Sequence, residues 1–593
     1  MTQQQRLLLA IGLSFALITG WQLLYLKPQM EAEQARLAAL DSGVQLAEAT
    51  TDDAGALVPG EQAALLASDG GFVAPIAELP RRTIELTRPT MHLVFTSEGG
   101  GLEKAELSGE RERDQRQLTI AEGYKKLLGE KFPPGPHVDL AVPVSPGPPQ
   151  FGVSIAGAAP LDGRLRYAVV EETPGRVTFT GTQGPWSVTK TFSWDQAATG
   201  LPPKAKLADR NPAGYVLSLD VTVTNTSAAP ASGELAVHTS RAIQPDTETA
   251  PSMFGGIGNQ SLTECKASDT VHRKTPDDDK PEQDEPGPVH FVALDQQYFL
   301  TAVWPKDGAA EGRCLLTSTT TSRSAQLLSP LTVGPGASVT KRYQAFLGPK
   351  DLELLSQVGV GTSFQPALDA TVDFGWWAVI CKALLFFLRF FHGLIGNWGV
   401  AIVLLTVMVK VVLLPLTHRA MVSAEQMKKL QPEMEKVRAK YPDDRDQQNQ
   451  AMMKLYSEAK VNPLGGCLPL LLQLPIWAAL FTTLRTSYEL YGEPFYGVWS
   501  DLTFKDPTYL LPLALGVTMI VTQRLQPQMM DQSQAFIITW VMPVFFTAIM
   551  MNYPAGLALY IFTNNLLSIV QQFALRKWLE RTGQAAPKKV ATT

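Results

Sequence analysis

WGVAIVLLTVMVKVVLLPLT, residues 398–417, is an apolar run broken by one charge, Lys410. About 20 such residues cross the hydrocarbon core of a bilayer as a helix. Four comparable runs follow: Leu464–Leu484, Tyr509–Thr522, Phe536–Met551 and Ala555–Val570. The last two are separated only by Asn552–Pro554, and none of the five contains Asp or Glu. The whole chain of 593 residues is 45% hydrophobic and 18% charged, an average of a polar first part and an apolar second part. A net charge of −5, with no basic stripe interleaved with aromatics, gives no ground for nucleic-acid recognition.

Two further apolar segments lie upstream. Leu7–Leu26 follows Arg6 and resembles a signal peptide, but it is long, and Trp21, Tyr25 and Lys27 stand where small residues would mark cleavage. It is expected to be an uncleaved anchor, with the two aromatics at the outer interface. Trp376–Ile395 carries Lys382, Arg389 and His392 on one helical face, behind Trp376 and Trp377. That pattern predicts a helix lying in the interface, with an imperfect transmembrane span as the alternative. The expected number of crossings is therefore six.

Lysine and arginine placement orients the spans. Residues 418–462 hold Arg419, Lys428, Lys429, Lys436, Arg438, Lys440, Arg445, Lys454 and Lys460, while Thr486–Pro507 holds only Lys505. The tail after Leu575 adds Arg576, Lys577, Arg581, Lys588 and Lys589. Both termini and the 418–462 loop are thus expected on the cytoplasmic side. Within that loop Met427, Leu430, Met434, Val437 and Tyr441 recur at helical spacing, as do Met452, Leu455 and Ala459, with Tyr441–Asp444 as a turn. This predicts a helical hairpin kinked by Pro432. Its methionine-rich seam either moulds to partners or only zips the two arms together.

The polar part divides in two. Residues 28–80 are rich in Ala, Gln, Glu and Gly and read as a tether. From residue 81 short β-branched and aromatic segments appear: Thr90–Thr96, Leu165–Val170, Arg176–Thr180, Trp186–Trp194, Tyr215–Asn225, Gly233–Thr239 and Phe299–Trp304. Turn residues punctuate them, which predicts an all-β sandwich. Asp277–Gly287, acidic and with two prolines, reads as a solvated loop. Cys265 and Cys314 lie in this part without CxxC spacing, and either bridge in an oxidising compartment or stay as two buried thiols. His92, His137, His238, His272 and His290 show no metal spacing, and there is no nucleophile elbow, HExxH or phosphate loop. No metal, cofactor or catalytic residue is expected.

At Val461–Pro475 the chain reads VNPLGGCLPLLLQLP, which resembles the third-span signature of the YidC, Oxa and Alb family of membrane protein insertases. Gly396–Gly399 (GNWG), Lys410–Thr417, Leu430–Pro432 and Tyr553–Leu557 resemble the same family in the same order. Asp295–Phe299 (DQQYF) and Thr371–Trp376 (TVDFGW) resemble its large periplasmic domain and its exit, as in Gram-negative members. The resemblance implies a β-super-sandwich outside an inner membrane, and a five-helix core around a hydrophilic groove open to cytoplasm and lipid. It implies no nucleotide. As partners it implies nascent inner-membrane proteins, the Sec translocon with its accessory subunits and, weakly, the ribosome. Lys410 stands where the family usually has arginine. Ile561 stands where Gram-negative relatives often have a second tyrosine. The short tail lacks a long ribosome-binding extension.

The expected organisation is an anchor (1–27), a tether (28–80), a periplasmic β domain (81–365), an interfacial helix (366–395), a five-span core (396–575) containing the hairpin (418–462), and a basic tail (576–593). The candidate groove residues are Lys410, Thr406 one turn before it, Gln473 in the signature, and Asn564, Asn565 and Ser568 on a polar stripe of the last run. The candidate recruitment residues are Met427, Leu430, Met434, Met452 and Leu455. A lone intramembrane cation marks a functional site by default, with snorkelling as the alternative. A transporter or channel is the competing class. It is disfavoured because no internal repeat and no intramembrane acid is found.

Overall fold

The computed structural model describes residues 79–582, apart from 110, 114–117, 146, 195–211, 244–260, 277–278, 442–443, 460–467, 498, 500 and 526–534. The expected N-terminal anchor, the tether up to residue 78, and the tail beyond 582 lie outside the described residues.

The polar part folds as antiparallel sheets. Strands β1 (Thr83–Thr87), β2 (Met91–Thr96) and β3 (Gly101–Leu107) form a three-stranded sheet, followed by helix α1 (Ile120–Leu127). The main sandwich contains β4 (Val153–Ala156), β5 (Ala168–Thr173), β6 (Arg176–Gln183), β7 (Trp186–Ser193), β8 (Val216–Asn225), β9 (Ala231–Ala242), β10 (Leu262–Ala267), β11 (Thr270–Lys274), β12 (Glu282–Pro286), β13 (Val289–Asp295), β14 (Phe299–Pro305), β15 (Arg313–Ser318), β16 (Ser322–Val333) and β17 (Ser338–Pro349). Nine strands run in the order β11-β10-β13-β14-β17-β8-β7-β6-β5, and five in the order β12-β15-β16-β9-β4. Strands β10 and β13 face β15 and β16, and the disulfide Cys265–Cys314 joins β10 to β15 across the two sheets.

Alternation explains the packing. In β7, Trp186, Val188, Lys190 and Phe192 all point inward, and Phe192 meets Phe95 of β2 with ring centroids 5.0 Å apart. Lys190 places its amino group inside an apolar core. It donates to the Gly99 carbonyl and lies 4.8 Å from the Tyr167 ring centroid, and burial pushes it down to about 7.

The acidic loop expected over Asp277–Gly287 is corrected in part, because Glu282–Pro286 is strand β12, paired with β15. It is an edge strand, where charged side chains and a proline face water without breaking an inner ladder. The strand expected over Leu165–Val170 starts only at Ala168 and runs on to Thr173.

The apolar part is helical. After α2 (Leu352–Gln357) come α3 (Ala378–Ile395), α4 (Trp398–Lys429), α5 (Gln431–Lys440), α6 (Arg445–Ala459), α7 (Leu468–Thr486), α8 (Leu510–Leu525), a π turn (Ile537–Val541) leading into α9 (Met542–Met550), and α10 (Ala555–Thr582). A common core holds Leu385 and Leu388 of α3, Ile402 and Leu405 of α4, Leu480 of α7, Leu515 of α8 and Ala558 of α10. Among the described residues two helices, Gly375–Ile395 and Trp398–Pro415, are long and apolar enough to cross a membrane. Leu510–Leu525 and Ile537–Met550 are apolar but shorter. Sixteen residues rise about 24 Å, which is shorter than a hydrocarbon core of about 30 Å. The long last helix, α10, is diluted by its polar stripe.

Candidate functional site

The GNWG motif builds the entry to α4. Gly396 ends α3 in the left-handed region (φ 74°), and the Asn397 carboxamide caps the next helix by accepting from Val400 N at 3.0 Å. A β-carbon on Gly399 would meet the Phe495 ring at 2.1 Å, so only glycine fits there. Helix α4 then continues through Pro415 to Lys429.

Lys410 sits on the face of α4 that meets α10. Its Nζ donates to Ser568 Oγ at 2.7 Å, and the Ser568 hydroxyl donates back to the Asn564 carbonyl at 2.8 Å. One turn further along, Gln571 Nε2 donates to Thr417 Oγ1 at 2.9 Å. Asn565 Nδ2 and Gln572 Oε1 are buried with no hydrogen-bond partner among the described residues. No carboxylate pairs with Lys410 among the described residues. The geometry is a polar seam between two apolar helices, carrying one positive charge.

Not every candidate joins this seam. Thr406 is buried, and its hydroxyl donates to the Ile402 carbonyl of its own helix at 2.7 Å, so it faces the helix core. The Gln473 side chain lies outside the described residues, as do Val461–Cys467 of the signature. Ile561 is buried beside Tyr560 in the helix core.

The hairpin is a separate packed unit. Helix α4 ends at Lys429, and Leu430-Gln-Pro starts α5, with Pro432 in its first turn. Leu430, Met434 and Ala459 are buried against Met452, Leu455 and Tyr456, and the Tyr456 hydroxyl lies 3.9 Å from Met434 Sδ. The seam zips α5 to α6. Met453, off the seam, is 61% exposed, and the Met427 side chain lies outside the described residues.

A second constellation escaped the sequence reading. The loop after α7 inserts Tyr488 and Tyr491 into the hydrophobic core of the β domain, while its Leu490 stays in the helix core. The DQQYF motif receives them: Tyr298 and Phe299 lie 5.1 and 5.0 Å from Tyr491, centroid to centroid. Arg111 donates to the Glu489 and Tyr491 carbonyls, each at 2.8 Å, and pairs with Glu493 at 3.1 Å. The Tyr488 hydroxyl donates to Glu112 at 2.9 Å. On the other side, Arg389 of α3 bonds Glu489, Asp351 and Glu353. Burial pushes the Glu489 carboxyl up, Asp351 pushes the same way, and Arg389 opposes both. The TVDFGW motif completes the exit. Asp373 pairs with Arg273 at 3.1 Å, accepts from Gly375 N at 2.7 Å, and leaves Phe374 buried in the helix core. Arg111 and Tyr491 are 380 residues apart, and no sequence spacing pointed to this contact.

Fold and site together define a membrane protein with an external-type β-sandwich domain and a charged polar seam between apolar helices. A family model described as the 60Kd inner membrane protein matches residues 390–582, and one described as the YidC periplasmic domain matches residues 172–387. A membrane protein insertase YidC of Anaeromyxobacter sp. (strain Fw109-5) is 38% identical over 504 residues, covering 84% of this chain and 86% of its own length. Another, from Geobacter metallireducens, is 30% identical over 578 residues, 97% of this chain and 98% of its own. A crystal structure of an active YidC insertase aligns over 82% of this chain and 91% of its own, at 19% identity and a TM-score of 0.35. The chain belongs to the YidC family of membrane protein insertases.

Proposed function

We propose that this chain inserts membrane proteins into the lipid bilayer through the polar seam between α4 and α10. The observation that carries the reading is the Lys410–Ser568 contact at 2.7 Å. A cation at a helix centre costs about 2.5–3.5 kcal/mol on insertion scales. Snorkelling would relieve that cost by sending the ammonium toward an interface. Here the ammonium instead points across to a polar stripe on the neighbouring helix. A wet seam with a positive charge and no acid attracts an acidic extramembrane tail of a client. It relieves that tail's desolvation while the client's apolar segment partitions into lipid. No bond is made or broken, and the relatives are named insertases rather than enzymes.

The finer reading has six crossings, both termini and the 418–462 hairpin on the cytoplasmic side of a bacterial inner membrane, and the β domain in the periplasm. Its support is the lysine and arginine bias, together with the carboxylates of the β domain and the 487–493 loop that hold Arg389. That grip supports α3 lying in the outer interface, although its length and composition alone would let it cross. Lys410, Asn564, Asn565, Ser568 and Gln473 line the groove in this reading. Thr406 is a helix-core residue behind them. The hairpin recruits clients, and the chain works alone or beside the Sec translocon.

The test is insertion into proteoliposomes. Lys410→Arg should remain active, because the attraction is mainly Coulombic and the charge is kept. Lys410→Glu should impair clients with acidic translocated tails more than clients with neutral ones. Equal impairment of both classes would mean a folding defect, and impairment of neither would mean that Lys410 only snorkels.

A further inference from the structure

The segment between β3 and β4 straps the β domain onto the external loop at two points. Residues 111–113 hold Tyr488–Glu493, as described above. Further along, α1 comes to rest on the residues just ahead of α8. A β-carbon on Gly123 would lie 3.0 Å from both the Pro507 side chain and its carbonyl oxygen, and the Tyr124 hydroxyl donates to the Thr508 carbonyl at 3.3 Å. Helix α8 begins only two residues later, at Leu510, and its Leu513 is already 49% exposed. Helix α1 therefore sits at the level where α8 enters lipid, if the topology proposed above holds.

The face that α1 turns that way is apolar and uncovered. Ile120, Tyr124, Leu127 and Leu128 fall on one side of the helix, at 51, 41, 46 and 87% exposure. Gly123, the contact to Pro507, lies at the edge of the same side. The acid of the first turn is occupied: Glu122 Oε2 accepts from Thr119 N at 2.9 Å and completes a capping box. The basic residues Lys125 and Lys126 flank the apolar side, and Lys131 follows, with Glu130 the one acid between Thr119 and Lys131 outside the cap. A soluble domain gains nothing from leaving such a face in water. Apolar side chains flanked by lysine, at bilayer height, are the composition of a helix that lies in the headgroup region.

We propose that α1 is an interfacial anchor, which dips Ile120, Leu127 and Leu128 into the outer leaflet and meets acidic headgroups with Lys125, Lys126 and Lys131. The partner is the lipid surface itself. The inference rests on the proposed topology. Its consequence is a third hold of the β domain on the membrane, besides the 487–493 loop and α3.

The test is fluorescence quenching in proteoliposomes of phosphatidylethanolamine and phosphatidylglycerol, using the full chain with Cys381 and Cys467 replaced by serine. A polarity-sensitive dye is attached to Leu128→Cys, to Leu513→Cys or to Glu311→Cys, one at a time. Glu311 is the water-exposed control. It is exposed and lies in the turn after β14, about 20 Å along that strand from the Phe299 end that docks on the loop. Expected is a blue shift and quenching by lipids spin-labelled near the headgroup at Leu128, quenching by deeper labels at Leu513, and neither at Glu311. Lys125→Glu combined with Lys126→Glu should weaken the Leu128 quenching and leave Leu513 unchanged. If Leu513 is quenched while Leu128 behaves like Glu311, the anchor is overturned, and the face belongs to a protein partner or to water. If Leu513 is not quenched, the topology fails and the inference fails with it.

Discussion

Arg389 is the cation whose removal the structure prices most directly. Its guanidinium serves Glu489 and Asp351, whose side chains keep only 3% and 2% of their exposure, and also the more open Glu353. Arg389→Ala leaves two buried carboxylates facing each other without a cation. Stripping one partner from a buried pair costs about 3–5 kcal/mol. Arg389 keeps 30% of its surface, so water fills part of the gap and the loss should fall near about 3 kcal/mol. The sign with pH follows from Glu489. Burial already holds its carboxyl above the ordinary 4.5, and loss of Arg389 raises it further. An acid raised in the folded protein binds its proton more tightly there than in the unfolded chain. Folded stability is therefore retained at low pH and lost as pH rises from the unfolded value through the folded one. The destabilisation should be largest at neutral pH and should shrink in mildly acidic buffer. Adding Glu489→Gln should recover part of it at neutral pH. The assay is thermal unfolding of the detergent-solubilised protein at both pH values. An unchanged Tm for Arg389→Ala, or an equal loss at both pH values, would refute the reasoning.

Three further outcomes are expected. Single cysteines at Glu311, Ala439 and Tyr496 should react with an impermeant thiol reagent from the outside, the inside and the outside of spheroplasts, and outside labelling at Ala439 would sink the topology. Deleting Leu430–Ala459 should leave a folded, membrane-inserted chain with weakened insertase activity, since the hairpin core is self-contained; normal insertion by the deletion variant would reduce the hairpin to a spacer. The Cys265–Cys314 bridge closes a 49-residue separation, which loop entropy values at about 4 kcal/mol, so reduction should lower the melting temperature of the β domain and expose both thiols together. Full thiol labelling before reduction would exclude the bridge.

Much of this architecture was legible because it is periodic. The apolar runs located the helices of the core. Trp186–Trp194 and Tyr215–Asn225 alternate so regularly that β7 and β8 follow directly. Alternation did not reach everything: β14, every residue of it buried, falls on the expected Phe299–Trp304, whereas β13 beside it and the alternating β15 and β16 lie under no expected strand. Helix α4 runs on to Lys429, past the expected Thr417, because charge ends a membrane span without ending a helix. The Lys410 side of the seam could be read from a charge in an apolar run. Its partner Ser568 stood in a polar stripe, but the inward turn of Thr406 depended on packing that no spacing encodes. The Tyr488–Tyr491 clamp was out of reach for the same reason, since its two sides meet only through tertiary structure.

That clamp also sets an order of events during synthesis. Tyr298 and Phe299 are made early, with the rest of the sandwich, and on the proposed topology they cross the membrane long before residues 488–491 exist. Until the chain has laid down α4, returned through the hairpin and sent α7 across, the pocket for Tyr488 and Tyr491 stays open to water. The sandwich thus completes its interior only when the span carrying the family signature has arrived. A nascent copy whose second core span stalls would carry an unfinished, chaperone- and protease-sensitive domain on its far side, a visible mark of its own failed assembly.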